Sequence, residues 1–147
     1  MHGTPDVYLQ NVAAPIVVAL LFILATSRFK EPNRRHFMAI MIAGAGAAYL
    51  SGGLGVWEFV FTALVTVCAY KGLNSYRLIG LGWVLHTIWD VLHHLFGNPI
   101  IPFLPASSIG CAVCDLVIAL WCFAGAPALN ELNGWRPFRE VRSRRVT

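Results

Sequence analysis

Five apolar runs, separated by short polar or glycine- and proline-rich breaks, organise the chain. The first extends from about Val12 to Arg28, with Pro15 near its start, where a missing N–H costs least. The polar hinge KEPNRR follows. The next apolar stretch, His36 to Tyr70, is too long for one crossing of a bilayer. At about 1.5 Å per residue it reaches about 50 Å, against a hydrocarbon core of about 30 Å. Ser51-Gly52-Gly53-Leu54-Gly55 supplies the break, which predicts helices over about His36 to Leu50 and Val56 to Tyr70. The connector KGLNSYR leads into a fourth helix, about Tyr76 to Phe96. The uncharged, proline-rich GNPIIPFLPASS cannot continue it, and a fifth helix is expected over about Ile109 to Ala126, ended by Pro127.

Composition sharpens this pattern. Apolar residues make up 57% of the chain and charged ones only 12%, about half the charge of an ordinary soluble domain. The net charge of +4 does not indicate nucleic acid, because its distribution is that of loops and not of a binding face. The eleven Lys and Arg residues fall in three clusters: Arg28, Lys30, Arg34 and Arg35; Lys71 and Arg77; and Arg136, Arg139, Arg142, Arg144 and Arg145. Threading five helices puts all three clusters on one side, while SGGLG and GNPIIPFLPASS, on the other, carry no basic residue. The expected fold is therefore all-α: a polytopic membrane bundle of five transmembrane helices, with the N-terminus outside and the C-terminus cytoplasmic. Residues 1–127 form the single bundle domain, and residues 128–147 a basic cytoplasmic tail. Trp135, Phe138 and the tail arginines are placed to meet the interface and anionic lipid. The expected location is the plasma membrane, which in a prokaryote is the inner membrane. The opening MHGTPDVYLQN has no positive charge before its apolar run, so the first helix reads as retained and not as a cleaved signal.

Ionisable side chains within apolar helices are expensive and so mark candidate sites. Glu58 lies in the third helix, His86, Asp90, His93 and His94 in the fourth, and Asp115 in the fifth. At about 100° per residue, HxxxDxxHH falls within roughly a 100° arc, a single polar stripe facing the bundle. Imidazole with carboxylate is the ligand set of zinc, iron or copper, and helical bundles assemble such sets from facing helices. His86, Asp90, His93 and His94 are the expected metal ligands, with Glu58 and Asp115 as acid/base groups. The structural alternative is a hydrogen-bonded polar network that holds helices together.

The four cysteines all lie in apolar runs, which is not the pattern of a disulfide scaffold. Cys111 and Cys114 share a helix face and are candidate soft-metal or redox ligands, set against packing residues as the commoner role. Cys68 and Cys122 read as packing. The small-residue run Ala43 to Ala48, with Gly44 and Ala48 on one face, lets another helix approach, either within the chain or across a homo-oligomer.

Two long strings, KEPNRRHFMAIMIAGAGAAYLSGGLGVWEF and GWVLHTIWDVLHHLFGNPIIPFLPASSIGCAVCDLVIALWCFAGAP, resemble the domain-of-unknown-function family catalogued as six thousand and ten. The resemblance spans about Lys30 to Pro127 and implies a small integral membrane protein, with no established activity attached. Its motif positions coincide with Glu58, His86, Asp90, His93, His94, Cys111, Cys114 and Asp115. A looser analogy is to membrane-embedded zinc hydrolases of the ceramidase and progestin-receptor type, whose histidines are spaced differently.

Three functions fit these observations. The first is a membrane-embedded metalloenzyme, a hydrolase or oxidoreductase acting on a lipid or small apolar molecule. The second is a transporter or channel for a metal ion or protons, which needs polar groups along the whole path. The third is an accessory membrane subunit whose polar stripe meets a partner. The ionisable groups are concentrated toward one end of their helices, which favours an enclosed site over a conduit.

Overall fold

The helices form where the hydropathy pattern placed them, although their ends follow local chemistry and not the edges of the apolar runs. The computed structural model describes residues 10–50 and 52–128. It contains α1 (Gln10–Thr26), α2 (Asn33–Ala47), α3 (Trp57–Gly72), α4 (Tyr76–Phe96) and α5 (Ser107–Phe123). α4 has the predicted bounds, entered from the extended Ser75 and ended by Gly97. α1 begins before the expected Val12, so Pro15 falls inside it. α2 is displaced toward the N-terminus and takes in Asn33, Arg34 and Arg35, whose polarity had marked them as hinge. α5 stops at Phe123, before Gly125 and Ala126, which both take positive φ.

α4 is the central element, packed most extensively on α5 and also against α3 and α2, while α1 lies against α5. Met38, Ala39 and Ile42 of α2, Phe61 and Val65 of α3, Ile79 and Trp83 of α4, and Ile118 and Ala119 of α5 meet in one core. Gly46 brings α2 onto α3: a Cβ there would stand 2.8 Å from Val65 Cγ1. The last carbonyls of a helix lack partners within it, and α2 finds them on its neighbours. Thr62 Oγ1 donates to Gly46 O at 2.8 Å.

The loops meet in pairs at the two ends. At one end Arg34 Nε donates to Glu31 Oε1 (3.0 Å) and to Tyr76 Oη (3.2 Å), and Arg35 Nε donates to the Leu73 carbonyl (2.9 Å). At the other, Asn98 N–H donates to Gly52 O at 2.8 Å, which joins the α2–α3 and α4–α5 loops. Ser107 and Ser108 hydroxyls accept from the N–H groups of Ile101 and Ile100 and brace the proline-rich segment.

The expectation of a polytopic membrane bundle is not supported. Among the described residues no helix is both long and apolar enough to cross a membrane. α2 has 15 residues, α3 16, and α1 and α5 17 each, which gives lengths of about 22–26 Å against a hydrocarbon core of about 30 Å. α4, with 21 residues, has the length, but it carries Arg77, His86, Asp90, His93 and His94. The transmembrane assignment and the outside-to-cytoplasm orientation that rested on it are corrected accordingly, the multi-pass location loses the spans that suggested it, and the all-α architecture of five helices stands. The physical reason is that apolar runs overrun the helices. Leu50, Leu54 and Val56 belong to the α2–α3 connection. Exposed faces are also apolar, as at Val17, Val18, Leu20 and Leu21 of α1, so hydropathy counted both sides of each helix. The basic tail, from residue 129 on, lies outside the described residues.

The two glycines of α2 offer a test of the packing. Nothing lies within 4 Å of a Cβ added at Gly44, which is exposed. Gly44→Ala is expected to stabilise the chain by about 0.5–1 kcal/mol through helix propensity. Gly46→Ala forces the β-branched Val65 to move and is expected to cost about 1–3 kcal/mol through overpacking. Thermal unfolding of the two variants beside the parent chain measures the difference.

Candidate metal centre

The helical period places residues 86, 90 and 93 on one face of α4, and that face is turned into the bundle. His86, Asp90 and His93 are buried, Asp90 completely. Asp115 of α5 and Glu58, in the first turn of α3, are brought against them and are also buried. Tyr49, just beyond α2, closes the group, its ring centroid 3.9 Å from that of His93 and 5.9 Å from that of His86. Three carboxyl groups and two imidazoles thus share one apolar interior, walled by Phe61 and Trp89 stacked at 4.5 Å.

His86 bridges three helices. Its Nε2 lies 2.8 Å from the Ala45 carbonyl at the end of α2. A carbonyl can only accept, so Nε2 carries a proton and donates it. Nδ1 faces Asp115 Oδ2 at 2.7 Å and Asp90 Oδ2 at 3.3 Å. Burial is the largest single influence on His86 and works to lower its pKa. The hydrogen bonds and charges of Asp115 and Asp90 together outweigh it, pushing His86 up to about 10. Burial raises the Asp115 carboxyl above its ordinary range, against the pull of His86. Neither oxygen of Asp90 is held in a hydrogen bond of good geometry, although His86 Nδ1 stands 3.3 Å from Oδ2 and the Tyr49 hydroxyl is close enough to act on the carboxylate. One donor atom each from His86, Asp90 and Asp115 lies within 4.8 Å of the others, the spacing of a metal-ligand set.

The second imidazole is held differently. His93 Nε2 stands 3.4 Å from Glu58 Oε2, and neither ring nitrogen makes a hydrogen bond. Glu58 is fixed on both oxygens, by the Leu54 N–H at 2.9 Å and by Trp89 Nε1–H at 3.4 Å. Burial lowers the His93 pKa, against the charges of Glu58 and Asp90, which favours the neutral ring. Two glycines make room for it. A Cβ at Gly52 would fall 2.8 Å from Nε2, and one at Gly97 2.9 Å from Nδ1. Above this point a cavity of about 370 Å³ opens, lined by Ala48, Tyr49, Gly52, Asn98, Pro99, Ile100 and Pro102. Tyr49 and Gly52 are shared between the cavity and the buried cluster.

Of the four residues expected to bind metal, only His86 and Asp90 belong to the ligand set; His93 is buried on the same face but outside that set, beside Glu58, and His94 is half-buried at the edge. Asp115, expected as an acid/base group, falls within that set. Glu58 pairs with His93. Cys111 and Cys114 are free thiols near the two aspartates and stand outside the ligand set. Gly44 of α2 and Ala48, just past its end, are exposed, and it is Gly46, from the same run, that receives α3. Sequence reasoning missed Tyr49 and the buried Ser108. A lone tyrosine hydroxyl at the end of an apolar run, just before a glycine break, was the available signal for Tyr49. The roles of Gly52 and Gly97 as the walls around His93 had none.

Burial, followed by the charges of Asp90 and Asp115, pushes the Cys111 thiol up to about 12; burial, then Asp115 and Asp90, takes Cys114 to about 11. The reactive thiolate is therefore scarce at neutral pH. At pH 8 alkylation of Cys114 by iodoacetamide is expected to be about a hundredfold slower than that of an unperturbed thiol. The rate should rise with pH up to about 11, as followed by mass spectrometry.

No curated protein and no solved structure matches the chain. A family model matches residues 10–128, so the likeness reaches further toward the N-terminus than Lys30 and takes in α1. The match contains all five helices and every residue of the buried cluster, and the chain belongs to the family of unknown function DUF6010.

Proposed function

We propose that this protein is a metal-dependent enzyme in which His86, Asp90 and Asp115 hold a divalent ion beside a pocket for a small, largely apolar substrate. The observation that carries this reading is Asp90, a completely buried carboxylate whose neighbours, His86 at 3.3 Å and Tyr49, give neither oxygen a hydrogen bond of good geometry. A charge in that position needs a cation. Two ligand atoms each about 2.1 Å from one ion, at a tetrahedral angle, are about 3.4 Å apart. The 3.3 Å between His86 Nδ1 and Asp90 Oδ2 matches that edge and exceeds a normal hydrogen bond.

The surroundings support the same reading. Metal-binding histidines commonly donate their other N–H to a backbone carbonyl or carboxylate, which fixes the ring and its tautomer. His86 does so through Ala45. The donors are one imidazole and two carboxylates, a set suited to zinc, iron(II) or manganese more than to copper. Three protein ligands leave positions open, and an ion so held acts as a Lewis acid on bound water. The pocket lies on the Tyr49 side of the cluster, and Pro99, Ile100 and Pro102 give it an apolar wall.

The 2.7 Å contact of His86 with Asp115 favours a second reading. In it an imidazolium between two carboxylates clamps α4 to α5, and the role is structural. The two readings differ in metal content. Full-length protein exposed to zinc, iron(II) or manganese and then desalted is expected to retain at least one equivalent by elemental analysis. His86→Ala and Asp90→Asn should lose it, and Cys111→Ser should keep it. With free ion at about a hundred times its Kd the folded chain gains about 3 kcal/mol, so EDTA should lower Tm by several degrees. Metal-free protein whose Tm ignores EDTA overturns the enzyme reading and leaves the structural one.

The pocket has its own test. In cobalt(II)-loaded protein, azide is expected to shift the visible bands. Ala48→Trp, which places a bulky side chain in the cavity lining, should weaken azide binding by about tenfold or more, which corresponds to about 1.4 kcal/mol, with cobalt content unchanged. Equal azide affinity in both proteins would mean that the ion is reached from elsewhere.

A further inference from the structure

Resting on the metal reading of His86, Asp90 and Asp115, we infer that Tyr49 and Ser108 are positioning residues for that site. They form a hydrogen-bonded chain that runs from the Ile100 N–H through Ser108 and Tyr49 and holds the Asp90 carboxylate for the ion. Both side chains are buried, Tyr49 to 2% exposure and Ser108 to 0%. Neither belongs to the ligand set. A buried hydroxyl costs free energy unless it is hydrogen-bonded, and a phenylalanine and an alanine would occupy the two places without that cost.

The geometry brings Tyr49 to the right part of α4. Its ring centroid lies 3.9 Å from that of His93 and 5.9 Å from that of His86. Asp90 stands between those two on the same helix face, four residues from one and three from the other. The ring is thus laid over the stretch of α4 that carries Asp90, and its hydroxyl is close enough to act on Asp90 and on Ser108. His93 backs the ring, and Glu58, fixed by the Leu54 N–H and by Trp89, stands 3.4 Å from His93 Nε2. One side of the cluster therefore steadies the phenol, and the hydroxyl serves the other.

Donor and acceptor chemistry gives the chain a single direction. A carboxylate can only accept, so the phenol donates to Asp90. Ser108 Oγ already accepts from the Ile100 N–H at 3.2 Å, which leaves its own proton for Tyr49 Oη. Burial is the largest influence on the phenol and raises its pKa. Asp90 raises it further, as an acceptor of its proton does, and Ser108 lowers it, as a donor does. The hydroxyl as placed has no hydrogen bond of good geometry. Leaving that bond unmade costs about 1–3 kcal/mol, which favours the small adjustment that closes the chain. With the phenol on one oxygen, Asp90 keeps the other for the ion and loses its freedom to rotate. Such partners of metal-binding groups are worth about 10–100-fold in metal affinity.

Zinc affinity of the full-length protein, measured by competition with a chromophoric chelator, tests the chain. Tyr49→Phe keeps the ring, removes only the hydroxyl, and is expected to weaken zinc binding by about tenfold or more. Ser108→Ala should weaken it by a similar factor. Because the two hydroxyls act in series, the double variant should bind no more than about threefold worse than Tyr49→Phe alone. A mere packing role lowers the Tm of the metal-free variants and leaves zinc affinity where it was, and that result overturns the inference. So does a double variant in which the two losses multiply, since the hydroxyls then act separately. If circular dichroism shows that one single variant has not folded, the zinc affinity of the other decides. Wild-type protein that binds no zinc removes the metal reading and this inference with it, whereas zinc bound equally well by wild type and Tyr49→Phe removes only the chain.

Discussion

Three carboxyl groups enclosed with two imidazoles in an apolar five-helix core set the terms for everything else in this molecule. An uncompensated charge buried there costs several kcal/mol. The fold must therefore bring compensation from within or accept a cation. Part of it is internal: His86 reaches Asp115, and Leu54 and Trp89 reach Glu58. Asp90 and His93 are left over. The residue of unmet polarity sits on the face of α4 that packs against α3 on one side and α5 on the other.

The architecture explains why that arrangement is sustained. α4 touches α2, α3 and α5, so a polar face on α4 is the one face that can gather partners from all of them. Close approach of α2 to α3 at Gly46 tightens the cage on its second side. The two loops at the cavity end are tied to each other through Asn98 and Gly52. Their glycines leave the His93 ring just enough space and no more, so ring position and loop position are mechanically linked. Rigid support of this kind distinguishes a built site from polar residues that merely happen to be near each other.

Much of this was legible in the sequence, and what was legible has a common cause. Periodicity alone places His86, Asp90 and His93 on one face, because the spacing of four and three residues is a property of the helix itself. The helix count and the bounds of α4 followed from breaks that no helix tolerates, the glycine run and the proline-rich loop. Membrane topology was the misjudged part: hydropathy sums along the chain, whereas spanning depends on the length of continuous helix, and Leu50, Leu54 and Val56 contributed to the first without extending the second. His94 shows the limit of face arguments. One residue further round the helix than His93, it turns out of the cluster. Asp115 and Glu58 could be named but not paired, since which acid meets which imidazole depends on how three helices are rotated against each other.

The bond from His86 to the Ala45 carbonyl carries a consequence for how such a site evolves. The partner is main chain, so the side chain at position 45 takes no part in the bond, and its size is limited by packing against the core and not by the imidazole. A residue-by-residue scan of α2 would read this position as packing and miss its carbonyl. What the site does require of α2 is that its final turn stay wound, which makes helix continuity near Ala47, and not the identity of any one amino acid there, the inherited quantity.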